Sequence, residues 1–145
     1  MKQDVDHASV GYAIKRAQAA LHTAMETTLR DLGIGVSQYS CLVALAHRPG
    51  ISNADLARAV FVSRQATHRL LNGLMADGLV EVSGEGRGAR ITLSDHAVRV
   101  LDEAQRRVLE VEARMLATIP DDRRAALRDE LNACADALEL GRDAS

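Results

Sequence analysis

The segment from Ser52 to Leu93 limits the folds open to this chain more than any other feature. Ser52-Asn53-Ala54-Asp55 reads as a capped helix start, with its acid in the first turn, where the helix dipole favours negative charge. Leu56, Ala57 and Val60 supply an inner face, and Phe61-Val62 form an apolar turn. Ser63 then caps a longer helix to about Ala76. On that helix Ala66, Thr67, Leu70, Leu71 and Leu74 share one side, and Arg64, Gln65, His68, Arg69 and Asn72 share the other. Asp77-Gly78 stops it. Leu79-Val80-Glu81-Val82 alternates like a strand, and Arg90-Ile91-Thr92-Leu93 is a second strand candidate. Between them Ser83-Gly84-Glu85-Gly86-Arg87-Gly88-Ala89 makes a glycine-rich hairpin tip. Two short helices followed by a small hairpin predict a winged helix-turn-helix.

Long amphipathic segments flank this core. Val10, Ile14, Ala17, Leu21, Met25, Leu29 and Leu32 recur at helical spacing within a helix expected from about Val5 to Leu32. Such a helix is roughly 40 Å long, more than a small core covers alone. A second helix follows, with Ser37 as its expected N-cap, Tyr39, Leu42, Val43 and Leu45 as apolar positions, and Pro49-Gly50 at its close. After the hairpin, Ser94 caps a helix to about Thr118 with a stripe of Val98, Leu101, Ala104, Val108, Val111 and Met115. A last helix starts at Pro120-Asp121, with Leu127, Leu131, Cys134 and Leu138 expected inward. The fold class is therefore mainly α with a small β wing. One domain spans 1–145: an N-terminal helix over 1–36, the winged core over 37–93, and C-terminal helices over 94–145.

Composition removes several function classes. At 145 residues, 47% hydrophobic and 26% charged, the chain is globular and not disordered. No apolar run reaches the ~18 residues of a membrane span, and the polar, acidic start is not a secretory signal. Cys41 and Cys134 are too few for a disulfide framework, which points to the cytoplasm. They read as small packing hydrophobes, since nothing basic flanks Cys41 to activate it. His7, His22, His47, His68 and His96 lack metal-ligand spacing, and no serine or cysteine has a base-and-orienter set, so neither a cofactor nor an enzyme is predicted. The wing tip lacks the Gly-Lys-Ser/Thr and following helix of a phosphate loop.

Charge decides between a solvated helix face and a binding one. The net charge is −2, so no global basic field exists. Locally, however, Leu56 to Ala76 carries Arg58, Arg64 and Arg69 and no acid, whereas Asp121 to Ser145 carries seven acids against four arginines. The acidity sits away from the polar face of the helix that Ser63 starts. With three aromatics in all, stacking on single strands is excluded, and duplex DNA read by a helix in the major groove is the expected partner.

The arrangement resembles the MarR family of bacterial transcription regulators from about Gly11 to Leu138. Its most telling stretches are Ser52-Asn53-Ala54-Asp55-Leu56-Ala57-Arg58, Val62-Ser63-Arg64-Gln65-Ala66-Thr67 and Leu74-Met75-Ala76-Asp77-Gly78-Leu79-Val80. The resemblance implies a two-fold homodimer built by the first and last helices. It implies that Ser63, Arg64, Gln65, His68 and Arg69 face the groove, and that Arg87 and Arg90 serve on the wing against minor groove or phosphate. It also implies a repressor on a pseudo-palindromic operator, released by a small phenolic or aromatic effector, with Tyr12, His22 and Met25 as candidate lining residues. The wing departs from the family pattern, being shorter and richer in glycine. The alternative reading is a protein-interaction module: a helical dimer whose winged surface binds protein and not DNA.

Overall fold

The structure, a computed structural model, describes residues 8–60 and 63–143; the side chains of Arg87 and of residues 141–143, and the expected Phe61-Val62 turn, lie outside the described residues. Six α-helices and one hairpin follow in chain order: α1 (Val10–Arg30), α2 (Val36–His47), α3 (Asn53–Ala59), α4 (Arg64–Ala76), β1 (Val80–Ser83), β2 (Arg90–Leu93), α5 (Asp95–Met115) and α6 (Asp121–Asp143). A single turn of 3₁₀ helix, Gly86–Gly88, forms the hairpin tip. The strands are antiparallel, pairing Val80 with Leu93 and Ser83 with Arg90. This is the mainly helical, winged helix-turn-helix class expected. No described helix is long and apolar enough to cross a membrane.

The chain falls into two compact units, Met1–Leu109 and Glu110–Ser145. In the first, α2 is the central element: Cys41, Leu42 and Leu45 are buried on it and join Leu29, Ile34, Ile51, Leu56, Leu71, Leu74, Leu79, Ile91 and Leu101 in one core. Three expected serine caps form. The hydroxyls of Ser52, Ser63 and Ser94 accept from the amides of Asp55, Ala66 and Ala97, each at 3.1 Å. Each satisfies an otherwise orphaned amide, worth about 1 kcal/mol. Gly78, at φ 71°, lets the Leu79 amide donate back to the Leu74 carbonyl at 2.8 Å. That bond occupies Leu79 in closing α4, so β1 begins one residue later than the alternation suggests.

Several boundaries differ from expectation for local reasons. α1 starts at Val10, where the Ser9 hydroxyl accepts from the Tyr12 amide at 3.0 Å. α2 is capped at Gly35 and not at Ser37, because Gln38 Oε1 reaches back to accept from the Gly35 amide at 3.0 Å. α5 ends at Met115 and not near Thr118. In the second unit Arg124 donates from Nε to the Ile119 carbonyl and from Nη2 to the Leu116 carbonyl, both at 3.0 Å, and so holds the connection that follows the helix.

The flanking stripes are only partly covered within one chain. On α1 Leu29 is buried and Met25 packs against the core, but Val10 is 72% exposed. On α5 Leu101, Ala104 and Val111 are buried, whereas Val98 and Met115 are not. On α6 the expected inward row is not inward in the single chain: Leu127 is half-buried, Leu131 and Cys134 are exposed, and Leu138 is 77% exposed.

Candidate nucleic-acid interface

The interface is built on α4, which is clamped from beneath. Thr67 is fully buried, its hydroxyl donating to the Ser63 carbonyl at 2.9 Å, and Leu71 and Leu74 lie beside it in the core. Burying that face turns Ser63, Arg64, Gln65, His68, Arg69 and Asn72 to solvent, and all six are exposed. A helix about 10–12 Å across matches a major groove about 12 Å wide.

The predicted set is divided between two clefts that flank α4. On the wing side Arg64, His68 and Asn72 line a cleft of about 840 Å³, together with Met75, Val82, Ile91 and the Ser52–Ala54 start of α3. Asn53 Oδ1 is buried at this cleft with no hydrogen-bond partner among the described residues, an arrangement that costs about 1–3 kcal/mol. On the other side Ser63, Gln65 and Arg69 line a cleft of about 520 Å³ with His22, Glu26 and Gln38. Successive helical positions point about 100° apart, so Arg64 and Gln65 necessarily look into different clefts.

The wing is tied at its base. Gly50 donates its amide to the Ile91 carbonyl at 3.2 Å, and Arg90 Nη1 donates to the Gly50 carbonyl at 3.2 Å. Arg90 is thus exposed yet engaged in bracing the wing on the α2–α3 turn. At the tip Gly84 has φ 84°, and a Cβ there would lie 3.0 Å from the Gly88 carbonyl oxygen, so the narrow tip requires glycine. Arg87 stands in this tip, but its side chain is outside the described residues.

The three candidate ligand residues are not brought together. His22 is exposed, lines the smaller cleft, and has Nε2 3.3 Å from Glu26 Oε1. Met25 packs against the core, and neither it nor Tyr12 lines that cleft. Tyr12 lies ten positions before His22, roughly 15 Å along the helix.

One charged cluster was not foreseen. Asp55, on α3, pairs through Oδ1 with Arg58 and lies 3.8 Å through Oδ2 from Arg48 Nη2. Hydrogen bonds from Ser52 and then Arg58, helped by the charges of Arg58 and Arg48, hold its carboxyl below the usual carboxylate range. The chain-local signal was the lone acid ahead of an acid-free stretch; Arg48, before Pro49, gave none. Elsewhere Glu103 is held low, first by a hydrogen bond from Arg107 and then by the charges of Arg106 and Arg107. Burial pushes the Cys41 thiol up to about 11, which keeps it protonated and unreactive near neutral pH. Among the described residues no group of three or more His, Cys, Asp or Glu is placed to hold a metal ion.

The profile of the MarR family matches residues 32–91, from just after α1 into β2. The HTH-type transcriptional repressor Rv2887 of Mycobacterium tuberculosis is 34% identical over 124 residues, covering 81% of this chain and 88% of that protein. A solved structure of Rv2887 in complex with DNA superposes with a TM-score of 0.74 at 28% identity, covering 88% of this chain and 98% of the other. A structure of Rv2887 with salicylic acid superposes at 0.72, also at 28% identity, over 88% and 96%.

Proposed function

The chain belongs to the MarR family, and from that premise we propose that it is a sequence-specific regulator of transcription that binds duplex DNA as a homodimer. The observation that carries this reading is the α4 face. Its inner residues are fixed in the core, while Arg64, Gln65, His68 and Arg69 stand outward beside an anchored wing. Arginine bidentate to guanine discriminates among bases by about 1–3 kcal/mol, and glutamine does the same for adenine. The action is non-catalytic and cytoplasmic, and repression is the expected sense, as in the named relative.

The whole chain acts as one functional domain, in which residues 1–36 and 94–145 dimerise and residues 37–93 read DNA. The exposed Val10, Ile14, Leu131 and Leu138 support this, since full burial of an exposed side chain of this kind is worth about 1.5–3 kcal/mol and each still has part of that to gain. A two-fold dimer presents its recognition helices about one turn of DNA apart, so the operator is a pseudo-palindrome with half-sites ~10 bp apart. The smaller cleft is the effector site. A small phenolic or aromatic acid held there by His22 lies against Gln65 and Arg69, two of the side chains DNA requires. Ligand and operator then compete for the same groups.

The test begins with duplexes selected from a random pool by the wild-type protein. Arg64→Ala, Gln65→Ala and Arg69→Ala should weaken the selected site, at least one of them by 1–3 kcal/mol with relaxed preference at a defined base pair. Arg87→Ala should weaken all sequences alike and lower the salt slope by about one. Salicylate should weaken wild-type binding more than that of His22→Ala. If every α4 variant binds the selected duplex like wild type, the helix is not in the groove and the surface serves a protein partner.

A further inference from the structure

The cluster around Asp55 lies across the wing from the base-reading face. Arg48, Asp55 and Arg90 line a polar cleft of about 420 Å³ with Pro49, Gly50 and the wing residues Gly88 and Ala89. Ser52 and Ala89 line this cleft and also the larger one that holds Arg64 and His68. The two therefore adjoin at the base of the wing. Arg58 joins the cluster through its pair with Asp55. Two arginines pair with one carboxylate while Arg90 lines the same cleft, and the side chains of Arg48 and Arg58 are 60% and 71% exposed. Pairs so exposed contribute little to stability, since solvent competes for both partners. Five donors per guanidinium also leave most of them facing water.

We propose that Arg48, Arg58 and Arg90 form a second DNA contact, taking a backbone phosphate beyond the wing, and that Asp55 attenuates it. The inference rests on the reading that α4 enters the major groove. A duplex seated there runs its flanking backbone past the wing and the α2–α3 turn. A phosphate oxygen then replaces the Asp55 carboxylate as acceptor for Arg48 and Arg58, with no change of charge on either arginine. Asp55 remains ionised, repels the incoming phosphate and cancels one of the three positive charges. The contact therefore adds affinity without base preference, and the carboxylate limits how much binding to random sequence it adds.

Salt dependence reads this directly. Each phosphate neutralised adds about 0.9 to the slope, or about 3.5-fold in affinity lost between 50 and 200 mM salt. Wild type, Arg48→Ala, Arg58→Ala, Asp55→Asn, Arg64→Ala, Gln65→Ala and Arg69→Ala would be titrated with the selected duplex and its scrambled counterpart at both salt concentrations, each after a melting curve. Arg48→Ala and Arg58→Ala should each weaken both duplexes by the same factor and lose about 3.5-fold less than wild type across that range. Asp55→Asn should tighten both duplexes equally and steepen the slope. If Asp55→Asn and Arg48→Ala shift only the melting temperature while Arg64→Ala, Gln65→Ala or Arg69→Ala still loses selectivity, the cluster is a structural ion pair and the second contact is overturned. If Arg64→Ala, Gln65→Ala and Arg69→Ala all keep wild-type selectivity, the groove reading falls and the proposal with it.

Discussion

The apolar residues of the winged core and those of α6 meet opposite fates within one chain. Leu42, Leu45, Leu56 and Leu74 have essentially no exposed surface, whereas Leu131, Leu138 and Leu140 are 44%, 77% and 70% exposed. Both sets recur at helical spacing, so periodicity alone does not say what an apolar face meets. The core is answered by neighbours in its own sequence. The α6 row is not, and leaving it wet forfeits the same burial energy that holds the core together.

The largest break in this contrast should come from the core. Leu42→Ala removes a fully buried side chain at the centre of α2 and should cost about 2–5 kcal/mol in urea unfolding, with an unchanged m-value. A cost below 1 kcal/mol would mean that α2 is not the spine of the fold. The α6 row should behave differently. Leu131→Glu with Leu138→Glu should leave the core's helical signal intact but yield a monomer by light scattering, losing about 1.5–3 kcal/mol of association per side chain. A dimer that survives both substitutions would assign that row to another role.

Legibility from sequence follows the range of the interactions involved. Ser52, Ser63 and Ser94 were readable as caps because each bond closes over three residues. The exposed set on α4 was readable because the helical period alone sorts Thr67, Leu71 and Leu74 from Arg64, His68 and Asn72. Its division between two clefts was not, since α1 supplies His22 and the wing supplies Val82. The bracing role of Arg90 at the base of the wing was not readable. Its bond to the Gly50 carbonyl spans forty positions and leaves no local trace. The Gly35 cap was missed because Gln38 reaches back from the N3 position of a capping box whose N-cap is glycine and not the usual Ser or Thr. Cys134 was placed inward on period alone, yet it is exposed in the single chain.

The two cysteines sharpen the contrast at the smallest scale, because they sit on either side of it. Cys41 lies in the core with its thiol pushed up to about 11 from an ordinary value of 9.0, while Cys134 lies on the exposed α6 row. An unfolded chain ionises that thiol at a lower pH than the folded one, so the unfolded state binds fewer protons between the two values. Stability from Cys41 is therefore complete below pH 9 and lost as pH rises through about 11. The loss is on the order of 2 kcal/mol and should be absent from Cys41→Val, measured by urea unfolding across that range. Asp55 and Glu103 act at the other end: their lowered values give stability present above the unfolded carboxylate pKa and lost as pH falls through the folded one. Near neutral pH the buried thiol should resist alkylation in the native protein. Replacing both cysteines should leave DNA affinity unaltered and insensitive to peroxide. If peroxide releases DNA from wild type and not from the double variant, one of these thiols is a switch and the core is less closed than its packing implies.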